Sequence, residues 1–166
     1  MTTADQLAAA AGAALGDAHL TLAVAESCTG GRLGDWISNV PGSSSYFLGG
    51  VIAYSYDAKE HLLGVQHNTL YEHGAVSRET ALEMAHGARR AFRADLAASI
   101  TGIAGPGGGM PGKPVGLVYI ALVARDEERC EHYVWDGDRD ANKQRSVEAA
   151  LQMILDYLAG HGSNQE

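Results

Sequence analysis

Apolar residues recur along this chain with two different periods. Residues 4–18 are rich in Ala and Leu and suit a helix. Leu20–Ala25 is a short unbroken apolar run, which reads as a first strand. Leu33, Trp36, Ile37 and Val40 then fall at helical spacing, predicting a helix over Gly30–Val40 that Pro41-Gly42 stops. Tyr46–Tyr56 is apolar and β-branched enough for a second strand, and Asp57–Leu63 reads as a short helix ended by Gly64. Ser77 is placed to cap a longer helix running to about Phe92, with Glu79 in its first turn. Asp95–Thr101 reads as a third strand, Val115–Ala124 as a fourth and Arg129–Trp135 as a fifth. The loop "RDEE" suits a hairpin between the last two strands. The final helix, about Arg139–Leu158, places Val147, Ala150, Leu151, Ile154, Leu155 and Leu158 on one face.

Strands separated by helices predict an α/β layered fold, mostly parallel, with strands four and five as an antiparallel pair. In such sheets ligands collect at the carboxyl ends of the strands. Two unusual stretches, "ESCTGG" and "TGIAGPGGG", each lie just after a predicted strand, so both are expected to face one crevice.

Composition narrows the setting. With 166 residues the chain is expected to form one domain with a real core, and its 46% hydrophobic content fits a soluble globular protein. No apolar run approaches the roughly 20 residues of a membrane span, and no basic segment followed by an apolar stretch marks a secretory signal. A net charge of −8 argues against a nucleic-acid surface. Two cysteines, Cys28 and Cys130, are too few for a disulfide framework, so a cytoplasmic location is expected. The seven histidines form no pair at i, i+3 or i+4, so neither a metal nor another cofactor is expected.

"AESCTGG" puts Ser27, Cys28 and Thr29 on a strand-to-helix turn, followed by Gly30 and Gly31. Free N–H groups at such a helix start stabilise an anion, including the oxyanion of acyl transfer, and the two glycines admit a ligand close to the backbone. A simple capped turn uses the same residue types. Two nucleophiles compete here. Cys28 at a helix N-terminus would have a lowered pKa but has no evident histidine base. Ser27 needs a base as well, and a desolvated lysine can serve; Lys59, following an apolar strand in "AYSYDAKEHLLG", is the best candidate. The stretch "TGIAGPGGGMPGKPVG" is neither a P-loop nor a dinucleotide fingerprint, yet its N–H groups suit a phosphate. Arg139, at the start of the last helix, suits bidentate phosphate contact.

The segments "AESCTGG", "VPGSSSYFLGGVIAYSYDAK", "LLGV", "HGAVS", "TGIAGPGGG", "KPVG" and "GDR" occur in an order that resembles the CinA C-terminal domain family, in particular its stand-alone nicotinamide-nucleotide amidohydrolases, over about residues 5–160. No counterpart of that family's additional molybdopterin-binding-like module is expected within these residues. The resemblance implies a three-layer α/β/α sandwich around a five-stranded mixed, mostly parallel sheet. It also implies hydrolysis of nicotinamide mononucleotide to nicotinate mononucleotide and ammonia, in pyridine-nucleotide recycling. Carried over by motif, Ser27 and Lys59 resemble a serine–lysine pair, while Ser44, Tyr54, Thr101 and Arg139 resemble its supporting or ligand-contacting set, with Gly102 and Gly105 in the loop that faces the ligand. Tyr56 stands where the family often has asparagine. The alternative reading is a nucleotide-binding or regulatory module without turnover. The expected partners are a small mononucleotide and a second copy in a homodimer, with neither nucleic acid nor membrane.

Overall fold

In the computed structural model, which describes residues 1–161, a five-stranded sheet lies between two layers of helices. The chain runs α1 (Thr3–Ala18), β1 (Leu22–Glu26), α2 (Arg32–Ser38), β2 (Phe47–Ile52), α3 (Tyr56–Leu63), α4 (His67–His73), α5 (Arg78–Phe92), β3 (Leu96–Gly102), β4 (Leu117–Val123), β5 (Glu128–Val134) and α6 (Arg139–His161). A 3-10 turn, Ser43–Ser45, precedes β2.

The strand order is β2-β1-β3-β4-β5. β1 pairs in parallel with β2 and β3, β3 with β4 antiparallel, and β4 with β5 antiparallel. Four of the five strands therefore point the same way, and β4 alone is reversed. The antiparallel β4–β5 pair matches the hairpin expectation. The antiparallel β3–β4 pair does not follow from the pattern, because the glycine loop between them was legible only as a connection. One face of the sheet is covered by α1, α2 and α6 through Leu15, Leu33, Ile37, Val147, Leu151 and Ile154; the other by α3, α4 and α5 through Leu63, Leu70, Met84 and Ala88. Among the described residues no helix is long and apolar enough to cross a membrane.

Element ends follow local chemistry. Thr2 and Asp5 form a capping box on α1, and Ser55 and Ser77 cap α3 and α5. β2 stops at Ile52, short of the expected Tyr56: Ala53 N–H closes on Glu26 O at 2.9 Å, and Ser55 then starts α3. β4 begins at Leu117 rather than Val115, because Gly116 takes φ +91° where a Cβ would meet Trp135 O at 2.0 Å. α4 escapes the pattern because its seven residues bury only Leu70.

The helical layer over Lys59 is tightly seated. A Cβ on Gly87 of α5 would lie 1.9 Å from the carbonyl oxygen of Leu63 at the end of α3, which is backbone and cannot swing away. Gly87→Ala is therefore expected to destabilise the fold by about 1–3 kcal/mol despite alanine's better helix propensity. A thermal melt should fall by roughly 2–12 °C; an unchanged or raised melting temperature would contradict the close α3–α5 contact.

Candidate active site

β1 carries the chain into the site. All five of its residues are buried, and it ends on a buried carboxylate, Glu26. Glu26 accepts hydrogen bonds from Thr29 Oγ1 at 2.6 Å, Leu33 N at 2.9 Å and Gly34 N at 3.0 Å. It thereby satisfies the first turn of α2, whose Gly31 N-cap has no side chain to do so. The turn between, Ser27–Gly31, is pinned at both ends: Ser27 N–H donates to Ile100 O of β3 at 2.9 Å, and Gly30 N–H donates to Ser27 O at 3.0 Å.

Lys59 comes from the opposite side, on the first turn of α3. Only 1% of it is exposed. Its Nζ lies 3.0 Å from Ser27 Oγ, 2.8 Å from Ala53 O and 3.3 Å from Tyr54 O. All three neighbours are uncharged, and among the described residues no carboxylate pairs with it. Burial is the main cause that holds its pKa below the ordinary lysine value, with nearby Cys28 acting in the other direction. In this geometry Nζ donates to the two carbonyls and to Ser27 Oγ; once it has lost a proton, its lone pair can accept the Ser27 hydroxyl instead. Such an arrangement can supply a serine hydroxyl with an adjacent base.

The pair lies at a cavity of about 260 Å³ at the carboxyl ends of β1 and β3. Its walls are Cys28, the Ala75–Val76 turn before α5, Thr101, the glycine loop from Gly102 to Gly108, Tyr54 and Arg139. Both stretches that the sequence placed on one crevice do meet there. Gly102 has no room for a side chain, since a Cβ would sit 2.6 Å from Val118 Cγ2 and 2.8 Å from Leu117 O. Thr101 turns its hydroxyl onto Ala75 O at 2.7 Å, tying the β3 end to the α5 approach. Arg139 bridges the mouth, donating to Gly105 O at 2.8 Å and to the Tyr54 hydroxyl at 3.1 Å. Its remaining N–H donors stay available.

Several expected residues fall elsewhere or act differently. Ser44 sits exposed in the 3-10 turn before β2, at the opposite end of that strand from Tyr54, so within one chain it does not join the cavity. Thr29 is buried with its hydroxyl committed to Glu26, and Gly30 and Gly31 lie outside the cavity lining. The Gly30 N–H is already bonded, which removes it as an oxyanion donor. Tyr54 presents its backbone carbonyl, not its phenol, to Lys59; the residue is 62% exposed and its hydroxyl faces Arg139. Cys28 is packed into the core beneath α1, α2 and α6. Burial pushes its thiol up to about 12, with Glu26 adding to the effect, so the expected helix-start activation of Cys28 is overturned.

Two organising residues went unrecognised in the sequence. Glu26 lies within "AESCTGG"; a carboxylate closing an apolar run just before a glycine-started helix is its signal. Asn142, buried on α6, donates to Ala104 O at 3.0 Å and Gly137 O at 2.9 Å and so locks the glycine loop against the Arg139 turn. Among the described residues no group of three or more His, Cys, Asp or Glu side chains is placed to hold a metal ion.

Comparison with known proteins gives the family. The model of the CinA C-terminal domain matches residues 4–158. A CinA-like protein of Thermotoga maritima is 50% identical over 146 residues, covering 88% of this chain and 36% of the relative. A putative competence-damage inducible protein of Moorella thermoacetica is 48% identical over 153 residues, covering 92% and 37% respectively. The chain thus spans little more than a third of the length of these relatives. Among solved structures, competence/damage inducible protein CihA from Agrobacterium tumefaciens is 41% identical with a TM-score of 0.89, covering 96% of this chain and 97% of that one. A CinA superfamily protein from Klebsiella pneumoniae is 32% identical with a TM-score of 0.92, covering 96% and 99%. With a buried serine–lysine pair at the end of its first strand, this chain belongs to the CinA C-terminal domain family.

Proposed function

We propose that this chain is an amidohydrolase that converts nicotinamide mononucleotide and water to nicotinate mononucleotide and ammonia, in pyridine-nucleotide recycling, through a Ser27–Lys59 mechanism. One observation carries the chemistry: a sealed lysine amine without a carboxylate partner lies 3.0 Å from a serine hydroxyl at an open cavity. Resemblance to the amidohydrolases of the family supplies the substrate, and the arginine beside the glycine loop at the cavity mouth supports it.

In this reading the carboxamide enters between Thr101–Ile103 and Ala75–Val76 and presents its carbon to Ser27 Oγ. Lys59 takes the hydroxyl proton as Oγ bonds to that carbon. The Lys59 ammonium then protonates the amide nitrogen, the C–N bond breaks, and ammonia leaves an acyl ester on Ser27. Water, deprotonated by Lys59, attacks the ester; the Ser27–acyl bond breaks, the Lys59 ammonium returns its proton to Ser27, and the acid product loses its own proton to solvent and departs as the carboxylate. Glu26 acts at a distance by fixing the turn that aims Ser27. The substrate phosphate reaches the mouth, where Arg139 offers its remaining donors beside the glycine loop.

Purified protein incubated with nicotinamide mononucleotide should release ammonia in step with nicotinate mononucleotide; a folded protein with no turnover from pH 6 to 9 would leave the non-catalytic binding module as the better reading. Ser27→Ala and Lys59→Met should each lower kcat by several orders of magnitude, and the double variant should be little worse than either. If the two losses multiply, the residues do not share a step.

Lys59 must be unprotonated to accept a proton. The rate kcat/KM is therefore expected to rise with pH through a midpoint below the ordinary lysine value of about 10.4. The same shift acts on stability. Between the depressed native pKa and about 10.4 the unfolded chain binds a proton that the folded chain does not, so wild-type stability relative to Lys59→Met should rise with pH across that window and level off above it. A flat difference would mean that Lys59 is charged in the folded protein.

Losing a charge-assisted contact costs about 1.5–3 kcal/mol, or roughly ten- to a hundredfold in affinity. Arg139→Ala should accordingly raise KM for the mononucleotide by that factor, and nicotinamide riboside should be much the poorer substrate. Equal kcat/KM for the two compounds would take the phosphate out of recognition.

A further inference from the structure

α6 brings a second cation to the rim of the cavity. Arg139 stands at the mouth, and Lys143, four residues on, is its neighbour on the same helix face. The Lys143 amine rests against the Ser27–Gly31 turn: a Cβ added to Gly30 would lie 3.7 Å from its Nζ. The same turn lies against Ile52, since a Cβ on Gly31 would sit 2.9 Å from Ile52 Cδ1. Two residues beyond Ile52 is Tyr54, whose hydroxyl accepts from Arg139. The nucleophile turn, the end of β2 and the start of α6 therefore share one rim, with a cation at two points along it. Lys143 itself lies outside the cavity lining. The Cys28 thiol, pushed up mainly by burial, is pulled in the other direction by the Lys143 charge, which sets that charge beside the cavity wall.

Nothing within the chain neutralises this amine. Lys143 is half-buried, yet among the described residues it makes neither an ion pair nor a hydrogen bond. The acidic residues nearest to it in sequence are committed elsewhere. Asp136 accepts from Arg145 at 2.6 Å, Asp138 from Ala141 N at 2.8 Å, Asp140 from Arg32 at 2.8 Å and Glu148 from Gln144 at 3.4 Å. Arg139 likewise has only uncharged partners, Gly105 O and the Tyr54 hydroxyl. A chain of net charge −8 thus keeps two cations, one helical turn apart, without a counter-charge at the entrance to its cavity.

We propose that Lys143 is a substrate-binding residue, which closes with Arg139 on the phosphate of the mononucleotide from the Gly30 side of the mouth. A phosphate monoester carries nearly two negative charges at neutral pH, so two cations match it where one does not. The two side chains divide the work. The planar guanidinium fixes the orientation of the phosphate, and the lysine supplies a compact charge on a flexible stem. Glycine at position 30 leaves the amine room to swing toward the anion. The identity of the ligand rests on the hydrolase reading; the anion site itself does not.

Inorganic phosphate probes the site without turnover. Phosphate should raise the melting temperature of the wild type more than that of Lys143→Met, both measured against chloride at matched ionic strength. Its general salting effect is common to the two proteins and drops out of the difference. Arg125→Met, in the exposed β4–β5 loop, should keep the full rise. Equal stabilisation of wild type and Lys143→Met overturns the anion site. Lys143→Gln replaces Lys143→Met should the latter fail to fold by circular dichroism. Calorimetry on a Ser27→Ala background then reads the ligand. Adding Lys143→Met should weaken nicotinamide mononucleotide roughly tenfold or more and leave nicotinamide riboside unchanged, while Lys143→Arg keeps most of the affinity. Equal losses for the two compounds would mean that Lys143 acts through the Ser27 turn and not on phosphate, and no loss for the mononucleotide would likewise overturn its role. A phosphate effect that depends on Lys143, in a protein that neither binds nor hydrolyses the mononucleotide, would uphold the anion site and overturn the hydrolase reading instead.

Discussion

An amine sealed from water without a counter-charge is the constraint around which the site is arranged. Burying a charged ammonium in this way is costly, and a lysine so placed relieves the cost by giving up its proton. Lys59 is held by two backbone carbonyls and the Ser27 hydroxyl, none of which supplies a counter-charge. Each partner makes a demand on the fold. The carbonyls of Ala53 and Tyr54 require the chain to leave β2 early and turn into α3, which the Ala53–Glu26 backbone bond and the Ser55 cap bring about. The Ser27 hydroxyl requires the end of β1 to stay fixed, which the Ile100 bond and the Glu26 carboxylate bring about.

The mouth is organised separately from the floor. Arg139 reaches the cavity only because α6 begins there, and Asn142 and Asp138 set that beginning. Asn142 bonds back to the glycine loop and to Gly137, while Asp138 accepts from Ala141 N. Arg139 then joins the loop to Tyr54, so one guanidinium couples the start of α6, the glycine loop and the end of β2 at the cavity mouth. An acidic protein can in this way hold an anion locally without a broad basic surface.

Much of this was legible in the sequence, because it rests on local chemistry. The apolar run to Ala25, the helical spacing after Gly31 and the cap at Ser77 all translate directly into β1, α2 and α5. The placing of two glycine-bearing turns after two strands was enough to predict a shared crevice. What was not legible depends on through-space relations. Ser44 lies only ten residues before Tyr54, yet a six-residue strand carries the two to opposite ends of the sheet. Cys28 follows Ser27 directly, but its side chain turns into the core, where burial raises rather than lowers its pKa. The role of Glu26 depends on N–H groups seven and eight residues ahead, which no periodicity displays. The reversed direction of β4 is set by how the glycine loop folds back, not by the strand's own residues.

The names carried by relatives, CinA-like and competence-damage inducible, describe no chemistry, so the site itself has to supply it. The claim on which the chemistry stands is the protonation state of one amine, and the chain makes it accessible: there are only three lysines, Lys59, Lys113 and Lys143. NMR of protein carrying carbon-13 at the lysine Cε positions, titrated with pH and assigned with Lys59→Met, reads each amine separately. A Lys59 resonance that titrates well below those of Lys113 and Lys143 is the predicted result. A Lys59 amine that stays protonated up to the ordinary lysine value of about 10.4 would contradict its role as the base for Ser27.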